Sequence, residues 1–356
     1  MQKRKILFFL MSAVGGAERM TVTFAKQIDR EKYDVIFYLI DYKKDKRIED
    51  FIPKDYKINH IALSFGLSIK SIRTLYNILK RESPDFVFSS LISINFRLLV
   101  LAPIFRRTKF IVRNNIYLKS SSTAQKLMMR FTYSKAVMVI AQTEEMKDEL
   151  EKSLNMPSQK VVVIHNPVDK DTITEKLKDY KPFMDTTKTN YVAVGRFAKS
   201  KGFDVLIEAF NHVMEEEPDS ELYIVGRYDD KDDYFRATYN TYITPFNKDK
   251  VHFVGFTDNP YRYMKNADCF VLSSRYEGLP NVLIEALHIG TPAAACTCIP
   301  VIERIVDEGK TGYLAEVEDY KGLAEAMLRT SKLGRIKSSY QPTSFERFLD
   351  ILLAYQ

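Results

Sequence analysis

From its first residues to about position 330, the chain alternates short apolar runs with longer segments of helical periodicity. In the first half the runs fall at 5–11, 34–41, 57–62, 85–89, 109–113, 137–141 and 161–164. Helical segments fill the gaps, most clearly at 17–29, 68–82, 120–134 and 144–154. The second half repeats the rhythm, with runs at 190–194, 221–225, 251–254, 268–272, 292–296 and 312–316. Its helices are expected near 201–216, 258–265, 280–289, 300–308 and 319–332. Most runs are continuously apolar rather than alternating, as strands covered on both faces must be. Buried strands separated by helices imply parallel sheets, because parallel neighbours need a crossover between them. At 356 residues the chain is too long for one compact core of this kind. The expected fold class is α/β, with two Rossmann-like parallel-sheet domains.

The rhythm breaks after His165-Asn166-Pro167-Val168-Asp169. Polar residues 170–189, with Pro182 and Thr186-Thr187-Lys188-Thr189, read as a linker. The domains are therefore expected at 1–169 and 190–340, with a last helix at about 344–355 following Gln341-Pro342.

Composition narrows the class further. With 46% hydrophobic and 28% charged residues and no low-complexity tract, the chain is a globular protein rather than a disordered one. Only 3 cysteines occur; Cys296 and Cys298 lack a further Cys/His pair at ligand spacing, so they read as small residues at a strand end. The opening Met1-Gln2-Lys3-Arg4-Lys5 and its apolar sequel resemble a secretion signal, but no small-residue cleavage site follows, and a buried first strand explains them better. No segment approaches a membrane span, and a reducing, cytoplasmic setting is expected.

The net charge of +7 conceals an asymmetry. Residues 1–170 carry 30 Lys+Arg against 17 Asp+Glu, a net +13, and the remainder 23 against 29, a net −6. Residues 86–143 hold nine Lys/Arg and no acid. A basic half joined to an acidic one points to an anionic partner for the first domain. Within it, the segment from Lys119 through Lys126 to Arg130 has the pattern of a basic amphipathic helix suited to an anionic bilayer, and Arg97, Arg106, Arg107 and Lys109 enlarge the same field. No recognised nucleic-acid module is present, so nucleic acid is not an expected partner.

The most informative stretch is Ser273-Ser274-Arg275-Tyr276-Glu277-Gly278-Leu279-Pro280-Asn281-Val282-Leu283-Ile284-Glu285-Ala286-Leu287. It leaves an apolar run, turns through Gly278 and Pro280, and enters an apolar helix. Free N–H groups near residues 281–283 would make an anion site at the positive end of the helix. Glu277 and Glu285 frame that site, and Glu285 shares a helix face with Asn281. A phosphate cradle flanked by hydroxyl acceptors suits a nucleotide-sugar. The Glu277-x7-Glu285 pair resembles the signature of glycosyltransferase family 4, retaining enzymes of the GT-B fold. That resemblance implies two Rossmann-like domains facing across a cleft, with the C-terminal segment 341–356 returning to the first. It also implies that Glu277 contacts donor-sugar hydroxyls, that the Gly278–Leu283 backbone (Gly278, Leu279, Pro280, Asn281, Val282, Leu283) holds sugar and β-phosphate, and that Glu285 binds the ribose diol.

Other motifs agree with it. Val14-Gly15-Gly16-Ala17-Glu18 opens the first helix, where Gly15 and Gly16 allow close backbone approach; by resemblance it lies against donor phosphates and acceptor. Arg196 and Lys201, in Gly195-Arg196-Phe197-Ala198-Lys199-Ser200-Lys201-Gly202, should project from a βα loop toward the crevice, where together they would neutralise a leaving nucleoside diphosphate. Phe256 after Val254-Gly255 resembles the segment lining the nucleobase. Asp229-Asp230 and Asp232-Asp233 read as a helix start rather than a metal site, and no metal or cofactor is expected beyond the nucleotide-sugar co-substrate.

The chain also departs from the family. Gly226-Arg227 stands where Gly-Asp-Gly is usual, and the glycine-rich turn before Glu303 is missing. Where many relatives carry a histidine after the fifth strand, this chain reads Val112-Arg113-Asn114-Asn115. Arg113 is expected to pair with phosphate there and Asn114 to bond a sugar hydroxyl. The expected function is metal-independent, retaining transfer from a nucleotide-sugar, with UDP as the expected nucleotide, to a glycan or lipid-diphosphate-linked acceptor of the cell envelope, peripheral on the inner membrane face. Two other readings remain. One is a nucleotide-sugar epimerase of the same fold, whose acid and histidine groups are not evident. The other is a catalytically silent partner subunit or membrane scaffold, which the missing histidine favours and the intact Glu277, Glu285, Arg196 and Lys201 oppose.

Overall fold

The computed structural model describes residues 3–13, 15–41, 47–64, 68–340 and 346–354; Val14 and the Gln341-Pro342 pair fall outside them. The chain divides into two compact units, Met1–Pro167 with Pro342–Gln356, and Val168–Gln341.

The first unit contains β1 (Arg4–Met11), β2 (Tyr33–Ile40), β3 (Lys57–Ile61), β4 (Phe86–Ser89), β5 (Lys109–Arg113), β6 (Met138–Ala141) and β7 (Val161–Val163). They pair in parallel in the order β3-β2-β1-β4-β5-β6-β7. Its helices are α1 (Gly16–Lys26), α2 (Ile69–Glu82), α3 (Ile92–Leu101), α4 (Thr123–Thr132) and α5 (Glu144–Leu154). Ile6, Phe8 and Leu10 enter one core with Phe37, Phe86 and Phe88, while Leu7 and Phe9, pointing the other way, are buried too. Burial on both faces is why β1 has no polar alternation.

The second unit opens with α6 (Lys170–Leu177), inside the stretch expected to be a linker. Asp169 caps it by accepting the Thr172 N–H at 3.0 Å, and Ile173 is buried beneath it. An ion pair of 2.8 Å from Lys176 to Asp258 ties it to the same unit. The polar composition signalled a break in the strand rhythm, and the break is a capped surface helix.

Strands β8 (Thr189–Val194), β9 (Ser220–Val225), β10 (Val251–Gly255), β11 (Cys269–Leu272), β12 (Ala293–Cys296) and β13 (Gly312–Ala315) follow. They form a parallel sheet in the order β10-β9-β8-β11-β12-β13. The helices are α7 (Phe203–Glu216), α8 (Asp233–Tyr242), α9 (Tyr261–Asn266), α10 (Asn281–Ile289), α11 (Ile302–Ile305) and α12 (Tyr320–Ser331). Asp232 caps α8 through the Tyr234 and Phe235 N–H groups, so the Asp232-Asp233 pair starts a helix, while Asp229-Asp230 lie in the loop before it. Cys296 is buried at the end of β12. The last helix, α13 (Glu346–Ala354), buries Phe348 and Leu352 in the core of the first unit, with Phe348 5.5 Å from Phe24 and 5.7 Å from Phe88.

Both sheets reverse strand order once, between β1 and β4 and between β8 and β11. At such a switch the loops leaving the carboxyl ends diverge and open a crevice, where ligands bind in open α/β sheets.

Candidate active site

In the second unit the switch is bounded by the loop after β8, residues 195–202, and the loop after β11, residues 273–280. Several contacts hold the two together. Gly202 has φ +62, and a Cβ there would stand 2.1 Å from the Ser273 carbonyl oxygen, so only glycine permits this approach. Ser273 Oγ donates to the Lys201 carbonyl at 2.8 Å, and the Arg275 N–H donates to the Ser200 carbonyl at 2.9 Å. The Arg275 guanidinium donates in a fork to Asp204 at 2.8 and 2.9 Å, to the Lys199 carbonyl at 2.8 Å, and to Glu318. Burial alone would raise the Asp204 pKa, but the bonds from Arg275 and Tyr234 outweigh it and hold the carboxyl below its usual range. Asp204, and then Glu318, raise the Arg275 pKa above its ordinary value. The motif alone gives Arg275 no role, because its partners Asp204 and Glu318 come from other parts of the chain.

The clamp places Lys201 Nζ 2.6 Å from Glu277 Oε1, which also accepts from Ser274 Oγ at 2.7 Å. Lys201 and Glu277, 76 residues apart, are thus one unit at the switch point. The Lys201 stem crosses Gly195, where a Cβ would come within 3.2 Å of Lys201 Cε. Arg196 emerges from the same loop into solvent, and its side chain has no hydrogen bond or ion pair among the described residues.

Helix α10 begins where expected, but its first turn is less open than anticipated. The Asn281 N–H donates to the Leu279 carbonyl at 2.9 Å and that of Leu283 to the Pro280 carbonyl at 3.1 Å. Val282, between them, is left to offer its N–H. The turn tightens because Pro280, at ψ 83, keeps its carbonyl within reach. Gly278 is half-buried and Leu279 buried beside this turn. Glu285 lies one turn along α10 and is 5% exposed. Phe256, beyond β10, is 51% exposed at the same carboxyl edge of the sheet. Among the described residues no group of three or more His, Cys, Asp or Glu side chains could hold a metal ion.

In the first unit, Gly15 caps α1 and Gly16 is its exposed first residue at the β1 end of the switch. Glu18 folds back over Gly15, so that a Cβ on Gly15 would stand 2.4 Å from Glu18 Oε2. Burial pushes the Glu18 pKa up to about 6. Across the switch, the Thr21 and Ser90 hydroxyls are 3.0 Å apart.

Arg113 and Asn114 do not join this rim. Arg113, the last residue of β5, is 0% exposed, with its guanidinium 5.4 Å from the Phe24 ring and Nη2 donating to Asn166. Burial lowers its pKa to about 9. Asn114 is equally buried; its Nδ2 donates to the Ile116 carbonyl at 2.6 Å, and its Oδ1 accepts from Tyr133 at 3.5 Å. Neither side chain has surface to offer a phosphate or a sugar, which corrects the roles expected for them.

The basic residues of the first unit divide similarly. Arg106, Arg107, Lys119 and Arg130 are exposed, Lys109 and Lys126 half-buried, and Arg97 buried with Nη2 on the Ser64 carbonyl at 3.0 Å. On α4, Leu127 and Phe131 are 55% and 65% exposed beside Lys126 and Arg130. The opposite side of α4 buries Met129 and Thr132. No helix among the described residues is long and apolar enough to cross a membrane.

Comparison with known proteins gives these features a context. Residues 14–172 match the family model for Glycosyltransferase Family 4, and residues 188–332 the model for Glycosyl transferases group 1. An uncharacterised glycosyltransferase of Methanocaldococcus jannaschii is 30% identical over 64% of this chain and 60% of its own length. The N-acetylgalactosamine-N,N'-diacetylbacillosaminyl-diphospho-undecaprenol 4-alpha-N-acetylgalactosaminyltransferase of Campylobacter jejuni is 25% identical over 99% of this chain and 98% of its own. The structure of Anabaena HepE in complex with UDP and glucose superposes with a TM-score of 0.78 at 17% identity, covering 99% of both chains.

Proposed function

Because the chain is a glycosyltransferase of family 4 with the GT-B fold, we propose that it transfers a sugar, with retention of anomeric configuration and without a metal ion, from a UDP-sugar to a lipid-diphosphate-linked glycan of the cell envelope. The observation that carries this reading is the Lys201–Glu277 contact of 2.6 Å at the switch between β8 and β11, with the Arg196 side chain beside it unpaired among the described residues. Lys has three donors, and Glu277 engages one, leaving two for phosphate oxygens. Glu277 Oε2 remains as an acceptor for a sugar hydroxyl. The pair thus holds phosphate and sugar on opposite sides of the bond that breaks.

In the proposed reaction the charge that develops on the departing diphosphate falls on Arg196, Lys201 and the Val282 N–H, which are in place before the reaction begins. The acceptor hydroxyl attacks the anomeric carbon from the face the diphosphate leaves, and a phosphate oxygen takes its proton. Glu285 is assigned to the ribose, Phe256 to the base, and Gly15 and Gly16 to the donor phosphates and acceptor. HepE was solved with UDP and glucose, and the Campylobacter relative is named for a diphospho-undecaprenol acceptor; both support the assignment of substrate classes. The exposed Leu127 and Phe131, interleaved with Lys126 and Arg130, support docking of α4 on an anionic membrane, where such an acceptor resides.

The test is transfer from a panel of UDP-sugars to a synthetic polyprenyl-diphosphate-linked sugar, with product anomer read by NMR. Retention, undiminished by a chelator, is expected; inversion, or loss of turnover with chelator, would overturn the mechanism. Flotation with liposomes adds the membrane arm. Binding should require anionic lipid and be lost in Leu127→Asp/Phe131→Asp, and equal partitioning onto neutral vesicles would overturn it.

A further inference from the structure

On the far side of Arg196 from Glu277 the sheet edge carries a cavity of about 470 Å³. It is lined by Arg196, Lys199, Arg227, Tyr228, Asp229 and Asp232, among others. Arg227 follows β9, the strand next to β8, so its loop lies about one strand spacing, ~4.8 Å, from that of Arg196. The two loops are joined directly, because the Phe197 N–H donates to the Arg227 carbonyl at 2.8 Å. Gly226, with φ +148, lets them touch; a Cβ there would stand 1.9 Å from the Gly195 carbonyl oxygen.

The charges in this cavity are not balanced among themselves. The side chains of Arg196, Lys199 and Arg227 have no hydrogen bond or ion pair among the described residues. The two carboxylates are already engaged by backbone: Asp229 accepts the Lys231 N–H at 2.9 Å, and Asp232 caps α8 at 3.0 and 3.1 Å. Tyr234 spends its hydroxyl on Asp204 at 2.7 Å. Lys201, by contrast, is held by Glu277. The free guanidinium groups at this edge are therefore those of Arg196 and Arg227, on adjacent loops and facing one cavity. Two such forks one strand apart match an anion with two adjacent oxygen-rich centres, a diphosphate.

We propose that Arg227 is a donor-binding residue that, with Arg196, grips the diphosphate of the nucleotide, and that it engages the phosphate nearer the nucleoside. The edge runs β10, β9, β8, β11, so Arg227 stands between Phe256 and Arg196. A donor lying from Phe256 to Glu277 presents its nucleoside-proximal phosphate there. This rests on the reading of the second unit as the UDP-sugar site, and it assigns a residue that the family signature does not.

The experiment is calorimetric titration of the full-length protein and its Arg227→Gln and Arg227→Lys variants with UDP, UMP, uridine and inorganic pyrophosphate. Arg227 is exposed, so both variants should unfold at the wild-type temperature. Arg227→Gln should weaken UDP and UMP by about tenfold, the scale of a lost charge-assisted bond, and leave uridine unchanged. Arg227→Lys should recover part of the loss. Unchanged UDP affinity in Arg227→Gln, or an equal loss for uridine, would overturn the proposal. If the wild type binds pyrophosphate but not UDP, the nucleotide reading fails instead, and the proposal is judged by whether Arg227→Gln loses pyrophosphate. Binding of neither ligand by the wild type would overturn both.

Discussion

Arg113 and Arg196 occupy comparable places, each at the carboxyl end of a parallel strand close to a switch in strand order. Yet one is sealed in the core and the other stands free in solvent. Arg113 is still part of β5, so its side chain points to a sheet face, and that face is covered by Phe24 of α1. Arg196 lies two residues beyond β8, past the last strand position, where no helix covers it. A residue inside a strand inherits the burial of its sheet face; one in the following loop inherits the crevice. Being near the end of a strand does not distinguish them; lying inside its last position or two residues beyond it does.

The largest effect expected from this contrast is on stability. Arg113→Ala would empty a fully buried volume and should cost about 3 kcal/mol in urea unfolding, with UDP affinity of the folded protein unchanged. Loss of UDP binding at wild-type stability would reverse the roles of the two arginines. Next comes Glu277→Gln, which keeps the shape but releases the Lys201 charge; transfer should slow by about a hundredfold in a UDP-release assay. An unaltered rate would remove Glu277 from the reaction.

The contrast also extends to pH. Burial raises the Glu18 pKa in the fold from 4.5 to about 6, so the folded state favours the neutral acid. Its contribution is full below about pH 4.5 and is lost as pH rises through about 6, by about 2 kcal/mol in all. Glu18→Gln cannot ionise, so its stability relative to wild type should rise by that amount between pH 4.5 and 7, as read from urea midpoints. A pH-independent difference would show that Glu18 is not the titrating group. The smallest effect is expected for Arg275→Lys, which gives up the fork onto Asp204; thermal unfolding should report a loss of about 1 kcal/mol.

Much of this is legible in the sequence. Strand positions followed from continuous apolar runs, because a sheet covered on both faces leaves no other pattern. The same rule hid α3: Ile94, Leu98, Leu99 and Leu101 are all buried, and a helix apolar on most sides shows no period. Helix α6 was hidden for the opposite reason, since only Ile173 of its eight residues is buried. In the candidate site, local motifs single out Glu277, Arg196 and Lys201. The pairing of Lys201 with Glu277 is not legible there, because it joins residues 76 positions apart. Arg275 stands within the motif, and Arg227 stands where the chain departs from the family pattern. Their partners and neighbours come from other loops, which a linear reading does not bring together. The burial of Arg113 is not legible in the sequence, because its covering ring, Phe24, is 89 positions distant.

The proposed donor site holds the diphosphate at the switch between β8 and β11, by Arg196 rather than by Arg113. Parallel calorimetric titration of Arg196→Ala and Arg113→Met with UDP tests it most directly. The Met variant keeps an unbranched apolar chain in the buried site and removes only the guanidinium end. At least a tenfold loss of affinity is predicted for Arg196→Ala, and none for Arg113→Met. Wild-type affinity in Arg196→Ala, or a loss confined to Arg113→Met, would contradict it.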